Sequence, residues 1–236
     1  MQQRKRTRIF ALIGAVALAA AVVVVIVLAS GGDDPPAKQA GEKVAGERET
    51  SALFRAIPQR GAVLGDPDAS VTVVEFADLQ CPFCKQASDE VVPEIVERYV
   101  RSGRAKLVFR DVAFLGDDSL RGGQLAAAAG RQDRMWQFVH LFYVNQGTEN
   151  SGYVTDDFLR SIAGGVAGLD VEQAWAERGD ASYQAGVDEA RQRWTELFGP
   201  QPGTPAFAVG PDERSLTALE GDATAEAIGA AIERTR

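Results

Sequence analysis

Two cysteines stand two residues apart in this chain, as Cys81-Pro82-Phe83-Cys84, and it has no others. A few residues upstream lies Val71-Thr72-Val73-Val74-Glu75-Phe76, a run dense in β-branched and aromatic side chains. A Cys-x-x-Cys at the junction of a strand and a helix is the arrangement of a reversible dithiol–disulfide centre. The reacting species is the thiolate, so one cysteine must titrate below the ordinary thiol value of about 8.5. A helix N-terminus favours the anion through its unsatisfied N–H groups and the positive end of its dipole. Cys81 is thus the expected nucleophile. Pro82 suits the first helical turn, where its missing N–H is not needed. Cys84, one turn on, is expected to face inward and to resolve a mixed disulfide by attacking Cys81. A purely structural disulfide is the bland alternative, but so short a loop would close little chain entropy. A zinc site would need more ligands than two cysteines and the single, distant His140.

The elements that must position this pair read as an α/β scaffold. Val71–Phe76 has the composition of a buried strand. Cys81 then opens a helix expected to run to about Ser102, with Val91, Val92, Ile95, Val96 and Tyr99 at helical spacing and a kink at Pro93. Lys106–Val112 reads as a second strand, so strand, helix and strand make a βαβ unit with parallel pairing. From Ser119 to about Phe198 the texture is helical, with Thr155, Asp170 and Asp180 as helix starts. Strand signals resume at Ala206–Val209, followed by a turn at Gly210-Pro211-Asp212. A weak strand near Leu216–Leu219 and a helix from Thr224 to Ile232 complete the chain. The expectation is one integrated domain over 51–236, opening with a short helix or strand over Ser51–Gln59 and carrying a helical insert at about 117–199. Within the insert, Trp136, Phe138, Leu141 and Phe142 are expected to form core, and His140 to pack among them rather than catalyse.

Charge and hydropathy bound the setting. The formal charge is −8 over 236 residues, but residues 1–29 hold four bases and no acid. The rest therefore carries 21 basic against 33 acidic residues, a net −12. That acidic body argues against a nucleic-acid partner, which needs a basic face. Ile9–Ala29 is a run of 21 residues without a charge, and about 20 such residues span a bilayer as a helix. The basic cluster Arg4-Lys5-Arg6-Thr7-Arg8 precedes it, so residues 1–8 are expected to stay cytoplasmic and the C-terminal body to cross. Two readings stay open here, an uncleaved signal anchor at 9–29 and a cleaved signal peptide. Either places the domain outside the cytoplasm, where disulfides persist. Residues 30–50, rich in Gly, Pro and charge, read as a flexible tether.

The segment from Val73 to Cys84, Val-Val-Glu-Phe-Ala-Asp-Leu-Gln-Cys-Pro-Phe-Cys, resembles the active-site segment of DsbA-like thioredoxin-fold proteins. Trp136-Gln137-Phe138-Val139-His140-Leu141-Phe142 is similar to that family's helical insert, and Gly203-Thr204-Pro205-Ala206-Phe207 to its cis-proline loop. The match spans roughly residues 60–235 and looks like the membrane-anchored branch of Gram-positive bacteria. It implies a thioredoxin-like fold with a helical insert, preceded by one N-terminal transmembrane helix. It implies further that the Thr204–Pro205 bond is cis and faces the Cys81 sulfur; read alone, Pro205 is only a turn or strand-start proline. Thr204 and Pro205, with Pro82 and Phe83, would then form the edge that admits a substrate chain. The resemblance also makes Glu75 a buried acid that helps deprotonate Cys84, against the bland reading of a strand carboxylate pointing at solvent. Phe83 departs from the best-known motif of the family, which has His there, and a phenyl ring cannot stabilise the thiolate.

The expected activity is thiol–disulfide oxidoreduction that introduces disulfides into exported proteins, with no bound cofactor and no metal. The resemblance implies a DsbB-like or vitamin K epoxide reductase-like membrane partner to reoxidise the pair. Phe83 gives weight to the reverse direction, a reductase or isomerase. From another class, the chain could be a non-enzymatic thioredoxin-fold module that binds peptides.

Overall fold

The computed structural model describes residues 44–235. Strand β3, Thr72–Ala77, is buried along its whole length, as a β-branched run covered on both faces must be. It pairs in parallel with β4, Lys106–Asp111, in the register Glu75 to Phe109, and antiparallel with β5, Ala206–Gly210, in the register Glu75 to Phe207. Two short strands, β1 (Gln59–Arg60) and β2 (Val63–Leu64), extend the sheet beyond β4, and β6 (Thr217–Ala218) closes it beyond β5. The order is β1-β2-β4-β3-β5-β6. Side-chain alternation sorts this sheet into two faces. Val73, Ala77, Leu107, Phe109, Phe207 and Val209 belong to the main core. Val74, Phe76, Val108, Ala206 and Ala208 form a second cluster with Ala190 and Trp194.

Helix α1 (Glu47–Leu53) precedes the sheet. The boundary expected at Ser51 falls inside it, and its first turns occupy the end of the expected tether. Its sequence has no apolar period; tertiary contacts hold it. Thr50 is buried, and the Arg101 guanidinium donates to the carbonyls of Leu53 (2.7 Å) and Arg55 (2.9 Å) at its C-terminal end. Strand β2 was not expected, and β1 only touches the end of the short helix or strand read at 51–59. At two residues each they leave no period to read.

Helix α2 (Pro82–Ile95) follows β3. The single helix expected up to Ser102 instead becomes a π-helical turn over Val96–Val100. The wider turn sets Val96, Tyr99 and Val100 inward together, which supplies the physical reason for it. The insert runs between β4 and β5 as α3 (Asp117–Arg131), α4 (Met135–Val144), α5 (Asp156–Gly165), α6 (Val171–Glu177) and α7 (Ala181–Phe198). Its three expected caps form. Thr155 accepts from the Phe158 N–H, Asp170 from that of Gln173 and Asp180 from that of Ser182. Helix α8 (Ala225–Thr235) ends the fold. No helix among the described residues is long and apolar enough to cross a membrane. The expected span at 9–29 and the cytoplasmic tail at 1–8 lie outside the described residues.

Candidate active site

Cys81 is the N-cap residue of α2, with extended backbone, and Pro82 begins the helix. Both cysteines are free thiols. Cys84 is fully buried and Cys81 nearly so at 5% exposure, while Phe83 between them is 67% exposed. One sulfur sits at the rim and the other beneath it. The Thr204–Pro205 peptide is cis, and the Cys81 thiol donates to the Thr204 carbonyl at 3.4 Å.

The two thiols differ in acidity for stated reasons. A hydrogen bond from the Cys84 thiol, with the nearby Thr204 side chain and hydrogen bonds from the backbone of Cys84 and Phe83, lowers Cys81 to about 6 against the opposing effect of burial. Burial raises Cys84 well above the ordinary thiol value, helped by its hydrogen bond to Cys81 and by the Cys81 charge. The pair is arranged to ionise at one sulfur only.

Glu75 does not point at solvent. It is buried on β3 with Phe109 and Phe207 as its register partners on the two neighbouring strands. Its Oε1 has no hydrogen-bond partner, and burial pushes the carboxyl up to about 8. Its charge is felt at Cys84, so the strand and the helix bring acid and buried thiol together. His140 lies elsewhere, buried with its ring edge-on to Phe54 and Nδ1 3.4 Å from the Thr50 hydroxyl.

Sequence reasoning missed the polar lock beneath the Cys81 loop. Asp78 is fully buried. Its Oδ1 accepts from the Gln80 N–H (2.8 Å) and the Ser119 hydroxyl (2.6 Å), and its Oδ2 from the Leu115 N–H (2.9 Å). From the insert, Tyr143 donates to the Asp78 carbonyl (3.1 Å), and Gln146 to those of Leu79 (2.8 Å) and Cys81 (3.1 Å). The available signal was two polar residues, Asp78 and Gln80, in the short turn between a buried strand and the dithiol. Asp78→Ala would strand three donors, each lost partner leaving a buried group unsatisfied at about 1–3 kcal/mol. We expect it to lower unfolding free energy by at least about 3 kcal/mol in urea titration; a loss under 1 kcal/mol would show that the lock is not structural.

A thioredoxin family model matches residues 59–234. The chain belongs to the thioredoxin family. It is 37% identical over 113 residues to "Probable disulfide bond formation protein D" of Bacillus cereus, spanning 47% of this chain and 52% of that protein. The chain thus spans about half the length of that relative. Among solved structures it is similar to oxidised BdbD of Bacillus subtilis, at 25% identity and a TM-score of 0.63, covering 76% of this chain and 96% of that one. It is also similar to a thioredoxin-like oxidoreductase of Silicibacter pomeroyi, at 28% identity and a TM-score of 0.56, over 78% of this chain and 95% of that one.

Beside the dithiol runs a groove of about 600 Å³ between α2, the Thr204–Pro205 turn and residues 221–226. Phe83 stands at it, and Glu90, Glu94, Asp222 and Glu226 line it. A groove of similar size, about 610 Å³, lies on the far face of the sheet against α7 and is lined by neither Phe83 nor the Thr204–Pro205 turn. Chemistry selects the first. No group of three or more His, Cys, Asp or Glu among the described residues could hold a metal ion.

Proposed function

We propose that this chain is an extracytoplasmic, membrane-anchored thiol–disulfide oxidoreductase that introduces disulfides into exported proteins. One observation carries the reading: an acidic thiol, Cys81, caps α2 against the Thr204 carbonyl, above a buried thiol held protonated. The name of the Bacillus cereus relative supports it, as does the apolar run at 9–29 for the location.

In the oxidised protein a substrate thiolate attacks the Cys81 sulfur of the Cys81–Cys84 bond. That bond breaks, a mixed disulfide forms, and Cys84 leaves as a thiolate that takes up a proton. A second substrate thiolate then attacks the substrate sulfur of the mixed disulfide and displaces Cys81. Two electrons have passed from the substrate thiols to the pair, and Cys81 leaves readily because its thiolate is stable near neutral pH. Glu75, titrating at about 8, exchanges the proton of Cys84 in this reading, since a general acid–base works best near ambient pH. Phe83, Thr204 and Pro205 line the groove along which the substrate chain lies, while Pro82 is not part of its lining. A DsbB-like or vitamin K epoxide reductase-like membrane protein takes the electrons onward.

The exposed Phe83 favours a second reading. Its phenyl side chain offers Cys81 no charge or hydrogen bond, which makes the disulfide less oxidising and suits a reductase or isomerase. The reduction potential of the full chain, equilibrated with glutathione, separates the two. A value between about −120 and about −180 mV supports the oxidase, and one near about −270 mV overturns it in favour of the reductase.

A further inference from the structure

The segment that joins α7 to β5 contains Pro200, Pro202 and Pro205 and so has few N–H donors of its own. Gly199 bonds back to the Thr195 carbonyl at 2.9 Å. Past that point two hydrogen bonds fix the segment among the described residues. The indole N–H of Trp194 donates to the Gly203 carbonyl at 3.2 Å, and the Cys81 thiol to the Thr204 carbonyl at 3.4 Å. The second bond needs the thiol proton. It disappears whenever Cys81 is a thiolate, a mixed disulfide or half of the Cys81–Cys84 bond. The Trp194 bond needs no such proton.

Trp194 itself stands on a fixed base. It is 6% exposed, with its ring 5.3 Å from that of Phe114. One turn back on α7, the Arg191 guanidinium donates to the Val112 carbonyl at 2.6 Å and to that of Ala113. Two turns further back, the Tyr183 hydroxyl donates to the Asp111 carboxylate at 2.8 Å. Helix α7 is therefore tied to the end of β4, beside the dithiol, and its indole reaches from there to the proline turn.

We propose that Trp194 is a positioning residue that holds the Gly203-Thr204-Pro205 turn in place in the oxidised protein, when the Cys81 bond to it is gone. This rests on the oxidoreductase reading. The oxidised form is the one that meets substrate, so the indole fixes the main chain of Thr204 for an incoming polypeptide. A small dithiol needs only the sulfur and depends on that turn less.

The test compares the oxidised full chain with its Trp194→Phe variant toward a reduced, unfolded polypeptide bearing two cysteines and toward dithiothreitol. Losing one neutral hydrogen bond predicts a rise in KM for the polypeptide of about three- to tenfold, with dithiothreitol slowed distinctly less. Should Trp194→Phe fold poorly, 3-benzothienylalanine incorporated at position 194 keeps the bicyclic shape and removes only the N–H. The same KM rise there supports the proposal. An unchanged polypeptide KM, or equal slowing toward both reagents, overturns it, even where thermal stability falls. A wild-type chain inert toward both reagents would instead overturn the oxidoreductase reading beneath it.

Discussion

Cys81→Ser is expected to reduce disulfide exchange to background, a loss on the order of a thousandfold or more, while leaving the fold intact. Oxygen forms no stable bond to the substrate sulfur, so both the accepting electrophile and the leaving thiolate vanish with one atom. The fold survives because a serine hydroxyl can still donate to the Thr204 carbonyl, as the thiol does. Cys84→Ser should behave differently. The Cys81 thiolate can still attack a substrate disulfide, releasing one substrate thiolate and forming a mixed disulfide, but no buried sulfur remains to expel it. Mixed disulfides therefore accumulate and run as high-mass bands on non-reducing gels of alkylated cells. The two variants together separate an enzyme from a peptide-binding module, which would keep its binding activity in both. Exchange surviving in Cys81→Ser, or an empty trap in Cys84→Ser, would remove the enzyme reading.

What the sequence makes legible here follows from the range of the forces involved. The strand Val71–Phe76, the start of α2 at Cys81 and the caps Thr155, Asp170 and Asp180 are local signals, read from side-chain shape, spacing and orphan N–H groups. The site residues named from the chain come together at one end of the sheet: Cys81 and Cys84 by their position on α2, Thr204 and Pro205 by antiparallel pairing of β5 with β3. Glu75 was ambiguous as a sequence because an acid in a strand faces either solvent or core. Its neighbours Phe109 and Phe207 decide the matter, and they are 34 and 132 residues away. The same distance in sequence hid the lock on Asp78, whose partners Leu115, Ser119 and Tyr143 arrive from the insert. The short helix or strand read at 51–59 lies instead at Glu47–Leu53 as α1, because Arg101, nearly fifty residues on, supplies its C-terminal partners. Long-range polar satisfaction leaves little trace in local pattern.

Glu75→Gln should stabilise the protein at alkaline pH and slow it as an enzyme. Burial raises the Glu75 carboxyl from 4.5 to about 8, so the folded protein binds that proton more tightly than the unfolded chain. The stability this confers is complete below about pH 4.5 and is lost as pH rises through about 8. At about 1.4 kcal/mol per pH unit, the interval amounts to on the order of 5 kcal/mol. Glutamine carries no proton to lose and keeps its stability across the same range. Asp111, raised by burial from 3.8 to about 7, titrates in both proteins, as does Cys81. The difference between variant and wild type therefore isolates Glu75. Urea titrations at pH 5 and pH 9 should show the two close together at the first and the variant ahead by several kcal/mol at the second. A difference that does not change with pH would mean that the carboxyl is solvated and titrates normally. Exchange rates from pH 6 to 8 supply the other half of the argument. A carboxyl held in the core against its own ionisation weakens the fold at working pH, and proton exchange with Cys84 gives a reason for keeping it. If Glu75→Gln gained stability with no change in rate across that range, the burial would stand and the proton-transfer role would fall.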